Sequence, residues 1–153
     1  SGDCVPLLIW DNISGMHGIL HIGLLGVLNN MVQTLPQIFK RYNVELKNVN
    51  FYIGPSITQK NYNINNSNMW SLVANQVRKK IHDINEYIKI KNKTEYFNMQ
   101  KMIIDQLSSF GIKKAQIQQY DYCIGDKNSI FFSHHILKQT GAKGNFLSII
   151  GKK

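Results

Sequence analysis

Apolar positions in the first 22 residues fall into two short runs. Val5–Trp10 (VPLLIW) is bounded by polar residues and reads as a buried strand, with Pro6 near its start. DNISG at 11–15 is a turn cluster, and Met16–Ile22 reads as a second strand, so the pair predicts a hairpin. From Gly23 the period changes. Leu24, Leu25, Val27, Leu28, Met31, Val32, Leu35, Ile38 and Phe39 recur at three-and-four spacing towards Tyr42, which predicts a long amphipathic helix kinked or split at Pro36. Val49–Ile53 is a third strand, closed by the turn pair Gly54-Pro55. Ser67–Asp83 is a helix capped by Asn66 or Ser67, with Trp70, Val73, Val77 and Ile81 on one face. Tyr87–Ile90 reads as a strand, and Asn98–Phe110 as a helix stopped by Gly111. Ala115–Tyr120, Ile130–Ser133 and Phe146–Ile150 complete the strands. Helices and strands mix without a regular βαβ alternation, so the expected class is α+β.

Composition narrows the picture. The 153 residues make one domain, able to bury roughly two-thirds of the unfolded surface. The 43% hydrophobic and 18% charged content is that of a globular chain. No apolar run reaches the roughly 18 residues of a membrane span, because Asp11, Asn12, His17 and His21 interrupt the first segment. Two distant cysteines, Cys4 and Cys123, do not make a disulfide scaffold, and a reducing, cytoplasmic setting is expected. The net charge is +9, concentrated in Arg78-Lys79-Lys80, Lys89–Lys93, Lys113-Lys114 and Lys152-Lys153. Such clusters favour anionic partners, but they read first as solvated faces, and no nucleic-acid motif accompanies them.

The candidate chemistry lies at the ends of the hairpin. On a strand, His17 and His21 share a face but stand about 13 Å apart, too far to share one metal. Cys4, before the first strand, and His21, near the end of the second, are brought together by antiparallel pairing. A thiolate and an imidazole there suit zinc or a Cys–His nucleophile pair, with a buried core cysteine and histidine as the plain alternative. Gly23 follows at a strand-to-helix turn, where backbone can approach a ligand and a helix N-terminus favours anions. Only one of His134 and His135 can face inward from a strand. His82 reads as exposed, and Cys123 as a buried thiol.

In order along the chain come GDCVPLLIWD, GILHIGLLG, FYIGPSITQKNYNI, LSSFGIKKAQIQQYDYC and FFSHHILKQTGAKGNFLSII. This order resembles the bacterial laccase-domain, or multicopper polyphenol oxidase, proteins, also described as zinc-dependent purine nucleoside phosphorylases. The likeness covers nearly the whole chain. Ser1-Gly2-Asp3-Cys4-Val5-Pro6 matches the family's Asp-Cys-Pro region, and His21-Ile22-Gly23-Leu24-Leu25-Gly26 its His-Ala-Gly-Trp-Arg-Gly. Gly54-Pro55-Ser56-Ile57 with Tyr62 matches its Gly-Pro-x-Ile and following tyrosine. Cys123 matches a later cysteine, and Phe132-Ser133-His134-His135-Ile136 its Phe-Ser-Tyr-Arg-Arg.

The resemblance implies a layered α/β/β/α sandwich of mixed sheets, of the cysteine-hydrolase-like kind, as a single domain over 1–153 lacking the family's N-terminal portion. It implies a zinc held by Cys4, His21 and a first histidine belonging to that portion, with Asp3 the nearest residue to orient a ligand or move a proton. The implied activity is phosphorolysis of adenosine, inosine or methylthioadenosine, with adenosine deamination. Its partners would be a purine nucleoside and phosphate, with neither membrane nor nucleic acid. An editing hydrolase acting on peptidoglycan precursors is the alternative enzyme. Leu24 and Leu25 stand where the family keeps Trp-Arg, His135 and Ile136 replace arginines, and Thr140-Gly141-Ala142 replaces Thr-Gly-Arg. Lys143 offers a point charge but not the fork of an arginine. These departures support a rival expectation, a degenerate member that has lost its zinc and serves as a binding or interaction domain.

Overall fold

The computed structural model describes residues 1–66, 68–81, 83–135 and 144–151. The predicted hairpin forms as β1 (Val5–Asp11) and β2 (His17–Ile22), paired antiparallel from Val5 opposite Ile22 to Trp10 opposite His17. Its turn is held by Asp11, whose carboxylate accepts from the N–H groups of Ile13 (2.9 Å) and Ser14 (3.1 Å), while Gly15 takes φ +74°. The Ser14 hydroxyl, and then these backbone bonds, hold the Asp11 carboxyl below its ordinary range. β3 (Val49–Ile53) lies on the other side of β1, antiparallel, with the bounds the sequence predicts. β6 (Ile117–Gln119) then pairs parallel to β3, giving a mixed sheet of order β2-β1-β3-β6.

The expected long helix is three pieces: α1 (Leu24–Leu28), a 3₁₀ turn at Met31–Thr34, and α2 (Leu35–Arg41). The break falls at Asn29-Asn30 rather than at Pro36. Asn30 takes the left-handed conformation (φ 52°), and the Asn29 amide donates to the Leu25 carbonyl at 3.0 Å, closing the first helix. Pro36 sits in the first turn of α2, where a missing N–H costs nothing. The periodicity was a sound guide to burial but not to continuity, since Leu24, Val27, Val32, Leu35 and Phe39 all reach the core.

α3 (Asn68–Lys80) buries Trp70; Ser67, His82 and the side chain of Val77 lie outside the described residues. β4 (Ile88–Lys91) pairs with β5 (Thr94–Phe97), a strand the sequence reading did not predict. Their two-residue turn places Asn92 and Lys93 at φ 49° and 62°, a tight hairpin without glycine and so without the usual signal. α4 (Met99–Ser108) is capped by Asn98, whose side chain accepts from the Lys101 N–H, and Gly111 at φ +100° follows it. Met102, Ile103 and Leu107 of α4 join Leu7, Phe51 and Phe97 in the core, and Gln106 donates to the Val27 carbonyl at 2.7 Å.

Two predicted strands are not strands. Ile130 and Phe131 form bends, and Phe146–Ile150 makes no ladder with the described residues. Ile130, Leu147 and Ile149 are 86, 80 and 76% exposed, so the apolar character of these segments is not spent on a sheet. The class is therefore mixed α+β, with a four-stranded sheet and a two-stranded ribbon among the described residues. No described helix is long and apolar enough to cross a membrane. Of the basic clusters, Arg78 is engaged by Glu95 and Asn85 and lies over Trp70, whereas Lys89 and Lys91 are exposed.

Candidate functional site

Register alone carries Cys4 towards His21. Pro6 stands opposite His21, and antiparallel partners share a face, so Cys4, two residues before Pro6, continues on the face of His21. Gly23 makes the approach possible: a Cβ there would sit 3.0 Å from the Cys4 sulfur. Cys4 and His21 line one cavity of about 530 Å³ together with Asp3, Tyr62, His134 and His135. His17, at the far end of β2, contacts the Gly15 carbonyl and lines none of it, in keeping with its expected separation from His21.

Asp3 has a second task. Its Oδ1 accepts from the Ser133 hydroxyl at 2.5 Å, and its Oδ2 accepts from the His135 N–H at 2.8 Å. Its carbonyl also accepts from the Ile57 N–H. The carboxylate thus ties the start of the chain to a turn 130 residues away. This turn also corrects the expectation for His134 and His135. They lie on a turn, not a strand, so both reach the cavity wall. His134 packs over Gly2, where a Cβ would come within 2.5 Å of its ring, and contacts the Asn145 amide oxygen at 3.0 Å. The His135 ring meets Tyr62 edge to face at 5.4 Å, and its buried Nε2 has no hydrogen-bond partner among the described residues.

Cys4 and Tyr62 are both held towards their protonated forms. Burial, then the neighbouring Asp3 charge, pushes the Cys4 thiol above its ordinary range, against smaller opposing effects of the N-terminus and backbone. Burial, followed by Cys4 and Asp3, drives the Tyr62 phenol strongly upward, so it remains a hydrogen-bond donor. The helix-terminus expectation at Gly23 gains no support, because α1 is only five residues long and few peptide dipoles align. Cys123 is buried, as expected, and its sulfur accepts from the Thr58 N–H (3.2 Å) and the Asn61 amide (3.4 Å). It lines a different cavity from Cys4.

A thiolate and an imidazole are a zinc-type donor pair. Among the described residues, however, no group of three or more His, Cys, Asp or Glu side chains is arranged to hold a metal. Both Asp3 oxygens are already engaged by Ser133 and His135. The described residues therefore supply two donors and do not close a zinc site.

The residues that sequence reasoning underused are Ser133, Tyr62 and the backbone of His135. Ser133 carries no chemical signature of its own; only its burial and its bond to Asp3 single it out.

The fold has solved counterparts. A hypothetical protein YfiH of Bacillus licheniformis superposes with a TM-score of 0.70 at 22% identity, covering 88% of this chain and 49% of that one. YlmD of Geobacillus stearothermophilus superposes with a TM-score of 0.72 at 19% identity and the same coverage. Among curated relatives, a protein named purine nucleoside phosphorylase from Staphylococcus aureus strain N315 is 26% identical over 152 residues, 99% of this chain and 54% of the relative. A Staphylococcus epidermidis protein of the same name is 25% identical over the same length. The chain thus spans about half the length of the relatives it matches. The family pattern described as multi-copper polyphenol oxidoreductase laccase matches residues 1–153 throughout, and the chain belongs to that family.

Proposed function

We propose that the chain carries part of the reaction centre of a purine nucleoside phosphorylase, with Cys4 and His21 as two ligands of a zinc ion. The observation that carries this reading is the convergence of Cys4 and His21 across the β1–β2 register, against the bare backbone of Gly23. The names of the staphylococcal relatives support the substrate class. A third donor must come from beyond the described residues, so no step is written through the metal. In phosphorolysis a phosphate oxygen attacks the ribose C1′ as the glycosidic C–N bond breaks, and the departing purine nitrogen takes a proton. Asp3 holds His135 in the cavity wall, and Tyr62 offers a protonated phenol there. Adenosine deamination at the same centre, the layered sandwich of the family and a cytoplasmic setting belong to this reading.

One observation favours a second reading. Neither lysine nor arginine is among the described residues lining this cavity, and Leu24 lies in its wall. No described residue there offers phosphate the fork of an arginine. A degenerate family member acting as a binding domain fits that wall.

The readings separate by metal analysis of the purified protein, followed by inosine and adenosine turnover with and without phosphate. The enzyme reading expects about one zinc per chain and phosphate-dependent release of the base. Its absence in metal-loaded protein leaves the binding domain. Undiminished turnover in Cys4→Ala would place the chemistry elsewhere.

A further inference from the structure

β2 is the outer strand of its sheet, with β1 as its one neighbour among the described residues. Ladder parity fixes which of its backbone groups are already bonded. The Asp11 N–H donates to the Met16 carbonyl, so the bonds to β1 fall on Gly18, Leu20 and Ile22. Pro6, which has no N–H to give, accordingly stands opposite His21. His17, Ile19 and His21 therefore turn their N–H and C=O groups outward, as a template for a further strand. A free edge is ordinarily protected by lysine, proline or a bulge. HGILHI carries neither residue, and its register with β1 is unbroken.

Beside this edge runs an apolar groove of about 500 Å³ between β2 and α2, walled by Ile9, Leu20, Leu35, Ile38, Phe39 and Tyr42. Gly18 keeps it open, since a Cβ there would meet nothing within 4 Å. Edge and groove together can take an extended segment, its backbone on β2 and alternate side chains in the groove. Charge selects the segment. No acidic residue is among the described residues lining the groove. Lys40 and Arg41, exposed in the last turn of α2 beside Tyr42, make no ion pair among the described residues. A second copy fits poorly, because each carries +9 and its own apolar run at 146–150 leads into Lys152-Lys153.

We propose that β2 and α2 form a docking groove for an extended segment of a partner protein, with alternating apolar residues and an acidic end that meets Lys40 and Arg41. Docking there is independent of the nucleoside reading. The groove and the cavity of Cys4 and His21 share no lining residue among those described.

Fluorescence anisotropy of the full chain with labelled synthetic peptides tests the groove. The probe is a short peptide of alternating valine and threonine ending in aspartates. It binds, and the same peptide ending in lysines binds about tenfold more weakly or worse. N-methylation of alternate amides, in one of the two parities, abolishes binding by removing the ladder donors. Gly18→Val fills the groove with a strand-favouring side chain, so affinity falls about tenfold or more while the melting temperature holds. Absence of binding, or equal affinity in wild type and folded Gly18→Val, overturns the groove. Equal binding of both methylated peptides overturns the added strand, and equal binding of the lysine peptide overturns the acidic partner. A dimer in light scattering that Gly18→Val disperses gives the groove to a second copy and overturns the assignment.

Discussion

The N-terminal hairpin and the segment 146–150 look alike in sequence, both short and apolar, yet only the hairpin became a ladder. In β1, Val5, Leu7 and Ile9 are buried, and the strand has hydrogen-bonded neighbours on both sides. In FLSII, Phe146, Ser148 and Ile150 are half-buried while Leu147 and Ile149 face outward. It is tied to the rest through Phe146, which exchanges backbone hydrogen bonds with Ser1 and packs its ring on Phe131 at 4.9 Å. Apolarity expresses a need for burial. Only a partner in register converts that need into a strand.

The largest expected effect breaks or confirms this contrast directly. Leu7→Ala should cost about 2–5 kcal/mol of unfolding free energy, since it empties a fully buried site between packed neighbours. Leu147→Ala should stay within about 0.5 kcal/mol, because its side chain is already in solvent. Urea titrations of both variants check this, and comparable losses would mean that Leu147 is packed against something.

A smaller effect tests how the two ends of the chain are joined. Asp3→Ala leaves the Ser133 hydroxyl and the His135 N–H without their acceptor, at about 1–3 kcal/mol. Urea midpoints give the loss, and amide exchange at His135 should accelerate with it. An unchanged exchange rate there would show that the turn is held by other contacts.

The smallest effect separates the two cysteines. With its thiol pushed up by burial and by Asp3, metal-free Cys4 holds its proton to higher pH than an ordinary cysteine. Its alkylation by iodoacetamide should therefore be slow at neutral pH and rise with a midpoint above that of an ordinary cysteine. Cys123, 5% exposed, should lag behind it throughout. Peptide mapping by mass spectrometry resolves the two, and a Cys4 midpoint below that of an ordinary cysteine would contradict the environment described.

The legible parts of the fold are those with local signals. β3 and α4 were readable because Val49, Phe51 and Ile53 alternate and because Asn98 and Gly111 bracket a helical run. The β4–β5 ribbon was not, since Asn92-Lys93 makes a left-handed turn without glycine and TEYF carries little apolar pattern. The break between α1 and α2 escaped for a related reason. Asn30 adopts a conformation that periodicity does not record.

For the site, the sequence by itself put Cys4 and His21 at one end of the hairpin and His17 at the other, because both placements follow from strand period and antiparallel register. Tertiary structure alone decided that Asp3 clamps Ser133 and His135, and that both neighbouring histidines reach the cavity. Those contacts join residues about 130 positions apart. No local pattern encodes such a distance; it is set when the turn at 133–135 packs against the first residues of the chain.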